Sequence, residues 1–230
     1  MIFDDLELIL FSIRGALVAT LIASLFALPV AYALEFKRFW WKPLLEIISI
    51  LPLGVPPVII GYMLLILFSP KYFLGSFIYS VTGSSLVFTW IAGSLASAIV
   101  SFPLIVRSFQ LGFSSIDNNL INTARSLGLS FPQIFTKVIY PLSKKGMFAG
   151  LLICFARSIS EFGATIVVSG NMPGKTQNIS TAIYTSISSA DNSSVIRLSF
   201  YSILMAILSI TCLLYTSPSP RDATLSRIPS

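Results

Sequence analysis

Apolar residues along this chain gather into long unbroken runs separated by short polar intervals, and the lengths of those runs set the architecture. Five are long enough, at 1.5 Å of helical rise per residue, to cross a hydrocarbon layer of about 30 Å. They cover roughly 8–34, 47–68, 85–106, 147–168 and 198–215. The pattern predicts an all-α, polytopic membrane helix bundle of about five to six transmembrane helices. Between the third and fourth runs lies the longest moderately polar interval, residues 117–146, DNNLINTARSLGLSFPQIFTKVIYPLSKKG. It reads as helix, turn, helix. Asp117 and Asn118 are N-cap residue types ahead of Leu120, Ile121, Ala124 and Leu127, whose spacing follows one helical face. Gly128 ends that helix as a C-cap glycine. Ser130 caps a second helix with Pro132 in its first turn, and Pro141 is expected to stop it.

The runs themselves are interrupted in informative places. The second contains LPLGVPPVIIGYMLL, where Pro52, Pro56 and Pro57 cannot all sit in a regular helix, since each lacks an N–H and crowds the preceding turn. Broken backbone at membrane depth is tolerated where neighbouring helices bury it or where it lines a water-filled cavity. With Gly61 following, the stretch reads either as a kinked helix or as a pathway or gate element. The third run is rich in small residues, Gly93, Ser94, Ala96, Ser97 and Ala98, which let transmembrane helices approach closely. The fourth holds Arg157 and Glu161, four apart and so expected on one helix face. An ionisable pair inside a span is costly unless it is paired or faces a cavity. It reads as a structural ion pair or as a pathway element, with Gly163 and Thr165 just beyond. In the first run Arg14 is expected to reach the interface along its own aliphatic stem.

Composition then narrows the function. Charged residues make up 10% of the 230, against about 25% in soluble domains, while 55% are hydrophobic, so the chain is a membrane protein. There is no room for a separate soluble enzyme domain. The net charge of +6 comes from basic residues scattered near span ends, which argues against a nucleic-acid partner. Cys154 and Cys212 stand alone in apolar runs, and there is no histidine, so no metal site, disulfide framework or nucleophile–base pair is indicated. No catalytic residue is assigned. The acidic start, Asp4, Asp5 and Glu7, lacks the basic region of a cleavable signal peptide.

Three motifs carry a family resemblance. Asn122-Thr123-Ala124, then Gly128, then Val138-Ile139-Tyr140-Pro141 resembles the EAA-x3-G-x9-I-x-L-P signature of ABC importer permeases, with Asn122, Thr123, Val138 and Tyr140 as departures. LPLGVPPVIIGY is similar to the proline-rich segment of molybdate-type permeases. FARSISEFGAT, followed by Gly170-Asn171-Met172-Pro173-Gly174 and by Ala182 to Thr185, resembles the FARSLGEFGAT…GNIPGxT…AIYT run of molybdate permeases, with Ser160 in place of a glycine. The resemblance runs from the first span to about Leu214. It implies a type I ABC importer permease fold and import of molybdate or tungstate, with sulfate or thiosulfate as the alternative. A membrane-embedded enzyme or a passive channel is more remote.

The resemblance also implies partners and roles. Residues 115–146 would couple to a cytoplasmic ATPase dimer through Asn122, Thr123, Ala124, Gly128 and Pro141. Pro52, Pro56, Pro57, Gly61, Arg157, Glu161, Gly163 and Thr165 would border the pathway. Gly170, Asn171, Pro173 and Gly174 would face a periplasmic or lipid-anchored molybdate-binding protein. Two copies of the chain would form the pore in the bacterial inner membrane, in contact with lipid, and ATP and Mg would sit on the partner, leaving no cofactor here. Charge bias orients the chain: Lys37, Arg38, Lys42, Arg125, Lys137, Lys144 and Lys145 fall in proposed inner loops and only Lys71 and Lys175 in outer ones, placing the N-terminus outside and the C-terminus inside. The permease domain is expected to be 1–215. The polar tail 216–230, which breaks composition abruptly, is expected to be a non-native sequencing scar.

Overall fold

The computed structural model describes residues 2–216. Apart from Thr216, which ends the last helix, the expectation about the tail lies outside the described residues. The described chain is helical: α1 (Ile2–Phe36), α2 (Lys42–Gly54), α3 (Pro57–Phe68), α4 (Phe73–Thr82), α5 (Trp90–Ser114), α6 (Asn118–Ser126), α7 (Phe131–Ile134), α8 (Tyr140–Ile159), α9 (Gly163–Val168), α10 (Ile179–Ser188) and α11 (Asn192–Thr216). A π-helical turn, Phe135–Ile139, joins α7 to α8.

Residue size decides the packing. The buried face of α1 is Ala16, Ala19, Ala23, Ala27, Ala31 and Leu34, three or four residues apart, while Leu17, Leu21 and Leu25 on the opposite face are exposed. A stripe of alanines gives a partner helix room to approach, and α5 supplies Ala92, Ala96 and Ala98 on its own buried face. α1, α5 and α8 pack together as the core, with α11 against α8 and α10. A buried hydrogen bond between Ser101 and Ser158 Oγ, 3.0 Å, crosses from α5 to α8.

Four helical segments are long and apolar enough to cross a membrane, 5–36, 90–114, 131–159 and 192–215, and α2 with α3 form an apolar pair bent by 110°, a fifth crossing if the pair is one broken span. The bend falls at Val55 and Pro56, inside the proline-rich stretch of the expected run 47–68. At 13 and 12 residues neither half crosses alone. Together they run the length of α5, from the Glu46–Arg107 ion pair at 2.9 Å to Ile60 and Leu64, clustered with Ala92 and Ala96. Residues 69–84, read as a loop, contain the short apolar α4. The third crossing begins later than expected and continues through Pro103 to Ser114.

Arg14 stands in the first half of α1. Its guanidinium lies 4.1 Å over the Trp90 ring, a cation–π contact between α1 and α5. From Arg14 to Phe36 the 22-residue rise is about 33 Å, close to the hydrocarbon thickness.

Candidate functional site

Three places collect the residues singled out by sequence, and the second and third adjoin each other. The first is α6. Asp117 caps it, accepting the Asn119 N–H at 2.9 Å. Gly128, at φ +78°, closes it: its N–H donates to the Arg125 carbonyl at 2.9 Å and the Leu129 N–H reaches back to Ala124 at 3.2 Å, the paired bonds of a left-handed glycine C-cap. Ile121 and Ala124 are buried in the core cluster. Leu120 and Leu127, expected on that same face, are 47% and 74% exposed, because the helix ends at Ser126 and the turn swings Leu127 outward. Asn122, Thr123 and Arg125 are exposed beside them. The result is a short helix seated by two small apolar residues, presenting two leucines and several polar groups outward.

Pro141 does not stop the next helix. The π turn carries the chain past it: the Tyr140 N–H donates to Phe135, five residues back. Widening the turn shifts the bonding register where Pro141 has no N–H to give, so α7, the π turn and α8 run on as one 29-residue segment, Phe131–Ile159. Tyr32 of α1 meets Phe131 edge-on at 5.3 Å and Phe113 of α5 at 6.5 Å, which ties the start of this segment to the core.

The second place is the crossing of two interrupted spans. α3 and α9 touch at backbone level: a Cβ on Gly61 would lie 2.5 Å from the Ala164 carbonyl oxygen. Gly163 packs beside Pro57 and Val58 in the same way. So Pro57, Gly61 and Gly163 come together, whereas Pro52 borders a separate apolar groove with Ile48, Leu95 and Phe102. Arg157 and Glu161 do pair, Nη1 to Oε2 at 2.7 Å, but not across one helix face. α8 ends at Ile159, and Glu161 sits in the gap before α9. Its other oxygen accepts the Ala164 N–H at 2.8 Å, so one 1%-exposed carboxylate both neutralises Arg157 and caps the following turn. The Thr165 hydroxyl donates to the Glu161 and Phe162 carbonyls.

The third place is the loop after α9. Lys175 N–H bonds to the Met172 carbonyl at 3.1 Å, with Pro173 and then Gly174 at φ +71° between them, which is the type II turn. Asn171 Nδ2 donates to Thr185 Oγ1 at 2.6 Å, and Gly170 packs near Phe88. The loop leads into α10. It is packed inward, with Ile179, Thr181 and Ala182 buried. Just before the candidate span 192–215, Asp191 caps α11, and hydrogen bonds from Ser194 and Ser193 hold its carboxyl down to about 2.

Sequence reading missed Asn178 and Ser12. Asn178 caps α10 and donates Nδ2 to the Glu161 carbonyl at 3.3 Å. Ser12 Oγ accepts the Ile179 N–H at 2.9 Å. The Asn-x-x-Thr spacing at 178–181 was a visible cap signal, whereas nothing in the sequence pointed to Ser12.

The described residues form a bundle of four or five apolar crossings with the short helix α6 set between α5 and the Phe131–Ile159 segment. The chain belongs to the family of binding-protein-dependent transport system inner membrane components, whose model matches residues 15–217. It is 40% identical to the molybdenum transport system permease protein ModB of Haemophilus influenzae, over 80% of this chain and 81% of that one. To ModB of Escherichia coli it is 37% identical, over 91% and 93%. The sulfate transport system permease protein CysT of Salmonella typhimurium matches at 31%, over 78% of this chain and 65% of its own. Among solved structures, an amino acid ABC transporter superposes with a TM-score of 0.64 at 17% identity over 92% of both chains. The MetNI methionine ABC transporter, inward facing, superposes at 0.62 and 16% over 92% and 97%. The fold is that of type I ABC importer permeases.

Proposed function

We propose that this chain is the pore-forming permease subunit of an ATP-driven importer of molybdate, with tungstate taken by the same route. The observation that carries the substrate is the identity to ModB permeases over nearly the whole of both chains, against a shorter and weaker match to a sulfate permease. Two copies enclose the pathway, and a periplasmic or lipid-anchored binding protein delivers the anion to the side bearing the Met172–Lys175 turn. The N-terminus lies on that outer side, with α6 and the C-terminus in the cytoplasm. A cytoplasmic ATPase dimer holds ATP and Mg, and this chain binds neither.

Coupling follows from how α6 is built. Leu120, Leu127, Asn122 and Thr123 enter a groove of the ATPase, while Ile121 and Ala124 pass its movement into the core. The continuous Phe131–Ile159 segment carries it onward to the break at Glu161. Alternating access then requires only that ATP binding and anion delivery favour different states of that bundle. Specificity lies mostly in the binding protein, so the permease needs no tight anion site of its own.

Uptake of labelled molybdate by cells lacking their own system, complemented with this permease and its partner subunits, tests the reading. Inhibition by excess tungstate and not by sulfate is expected. Equal inhibition by sulfate would move the protein to the sulfate branch. Gly128→Pro provides a second check, since proline cannot take φ +78° and has no N–H for the Arg125 carbonyl. It is expected to abolish stimulation of the ATPase while the protein still inserts, and normal uptake by that variant would remove α6 from the coupling role.

A further inference from the structure

At the end of the bundle away from α6, a cleft of about 750 Å³ opens between the first turns of α1, the Met172–Lys175 turn, the middle of α10 and the start of α11. Asp5, Glu7, Pro173, Gly174, Gln177 and Thr185 are among the residues that line it. Gln177 leads directly into Asn178, which bonds in two directions. Its Oδ1 accepts the Thr181 N–H and its own N–H donates to Thr181 Oγ1, both at 2.9 Å, closing a reciprocal cap on α10. Its Nδ2 donates to the main-chain oxygen of Glu161 at 3.3 Å. The neighbouring Ile179, fully buried, donates its N–H to Ser12 of α1.

Capping needs only a side-chain oxygen. Serine or aspartate serves at an N-cap as well as asparagine does. The amide nitrogen of Asn178 is therefore surplus to the cap, and it is the atom that reaches the α8–α9 break. Glu161, at that break, already holds Arg157 and the Ala164 N–H, so a displacement of its backbone moves an ion pair and the first turn of α9 together.

We propose that Asn178 is a positioning residue through which a binding protein seated in the outer cleft sets the geometry of the α8–α9 break. This rests on the importer reading above and adds to it the route from the docking face to the pathway. The partner acts by binding the two arrangements of the break with different affinity, as any coupling between two sites requires.

Three variants of the permease, reconstituted in liposomes with its ATPase, test it. Asn178→Ser and Asn178→Asp keep a cap oxygen and lose the amide donor, whereas Asn178→Ala loses both. ATP hydrolysis is measured with and without molybdate-loaded binding protein, and thermal unfolding is followed on the same samples. In the serine and aspartate variants the stimulation ratio is expected to fall about fivefold or more, the lower end of ordinary coupling. Their unfolding temperature should stay at the wild-type value, and the alanine variant should lose both. Wild-type stimulation in both cap-competent variants overturns the inference and leaves the importer reading standing. Parallel losses of stimulation and unfolding temperature in all three would make Asn178 a structural cap and overturn it as well. A wild-type complex that no loaded binding protein stimulates overturns the importer reading and this inference together.

Discussion

The α2–α3 and α8–α9 pairs are both interrupted, and their second halves cross at Gly61 and Ala164, yet they are interrupted by different chemistry. In α2–α3 the backbone does it. Val55 and Pro56 each precede a proline and take extended backbone, ψ 132° and 130°, because the following ring excludes the helical region. No neighbour is needed to hold that bend. At the α8–α9 break, residues 160–162, there is no proline. The break stands on the Glu161 carboxylate, which replaces lost helical bonds with one to the Ala164 N–H and neutralises Arg157. One interruption is fixed by covalent structure, the other by a charge balance among side chains. Of the two, only the second can be altered by a change elsewhere in the molecule, which suits it to a moving part.

Glu161→Ala breaks the comparison most severely. It leaves Arg157 without a counter-charge and Ala164 without an acceptor. Removing one member of a buried pair costs about 3–5 kcal/mol, and the low end applies because the Arg157 side chain is 32% exposed. Denaturant unfolding in detergent measures it, and Glu161→Gln, which keeps an acceptor for Ala164, should recover part of the loss. Stability unchanged in Glu161→Ala would mean that the break needs no carboxylate. Next comes Gly61→Ala, whose new Cβ would press on the Ala164 carbonyl of the other pair. Overpacking against backbone costs about 1–3 kcal/mol, and the variant should lose uptake in proportion. Pro57→Ala is expected to cost only about 0.4–1 kcal/mol, the entropy difference of the unfolded chain, since Pro56 still sets the bend. A distance measured by paired spin labels on α2 and α3 should not change. A straightened pair would show that Pro57 alone made the bend.

The same contrast explains what could be read from sequence. The α2–α3 break was legible because proline acts through its own ring, and the cap at Gly128 because a glycine at that spacing answers a local backbone need. The Glu161 break was not. Arg157 and Glu161 four apart look like a helical pair, and only the tertiary setting, with α3 against α9 and Asn178 alongside, makes a chain end out of that spacing. Pro141 misled for the opposite reason. A π turn upstream absorbed its missing N–H, a solution that local propensity does not announce. The alanine stripe of α1 was visible in the sequence all along, but a run that is apolar on every side hides which face is buried. The meeting of the Glu161 break with the loop after α9 is tertiary as well, since motif order along the chain says nothing about distance.

The smallest effect belongs to a third carboxylate device, and it isolates what burial contributes. Asp191 starts α11 as Glu161 starts α9, accepting the Ser194 N–H at 3.2 Å and the Ser193 hydroxyl at 2.8 Å, but it stands in the open. The Ser194 and Ser193 bonds lower its pKa from 3.8 to about 2. A carboxyl whose folded value is depressed contributes stability that is fully present above the unfolded value, here 3.8, and is lost as the pH falls through about 2. Asp191→Asn keeps a good cap residue and removes the titration. Amide exchange at Ser194 and Val195, compared between wild type and the variant, should therefore show a difference at pH 4.5 that vanishes near pH 2. Global unfolding should not move, because an exposed cap frays only the first turn of α11. A global loss on the scale of Glu161→Ala would mean that the charge itself, rather than its burial beside Arg157, is what makes such a carboxylate matter in this fold.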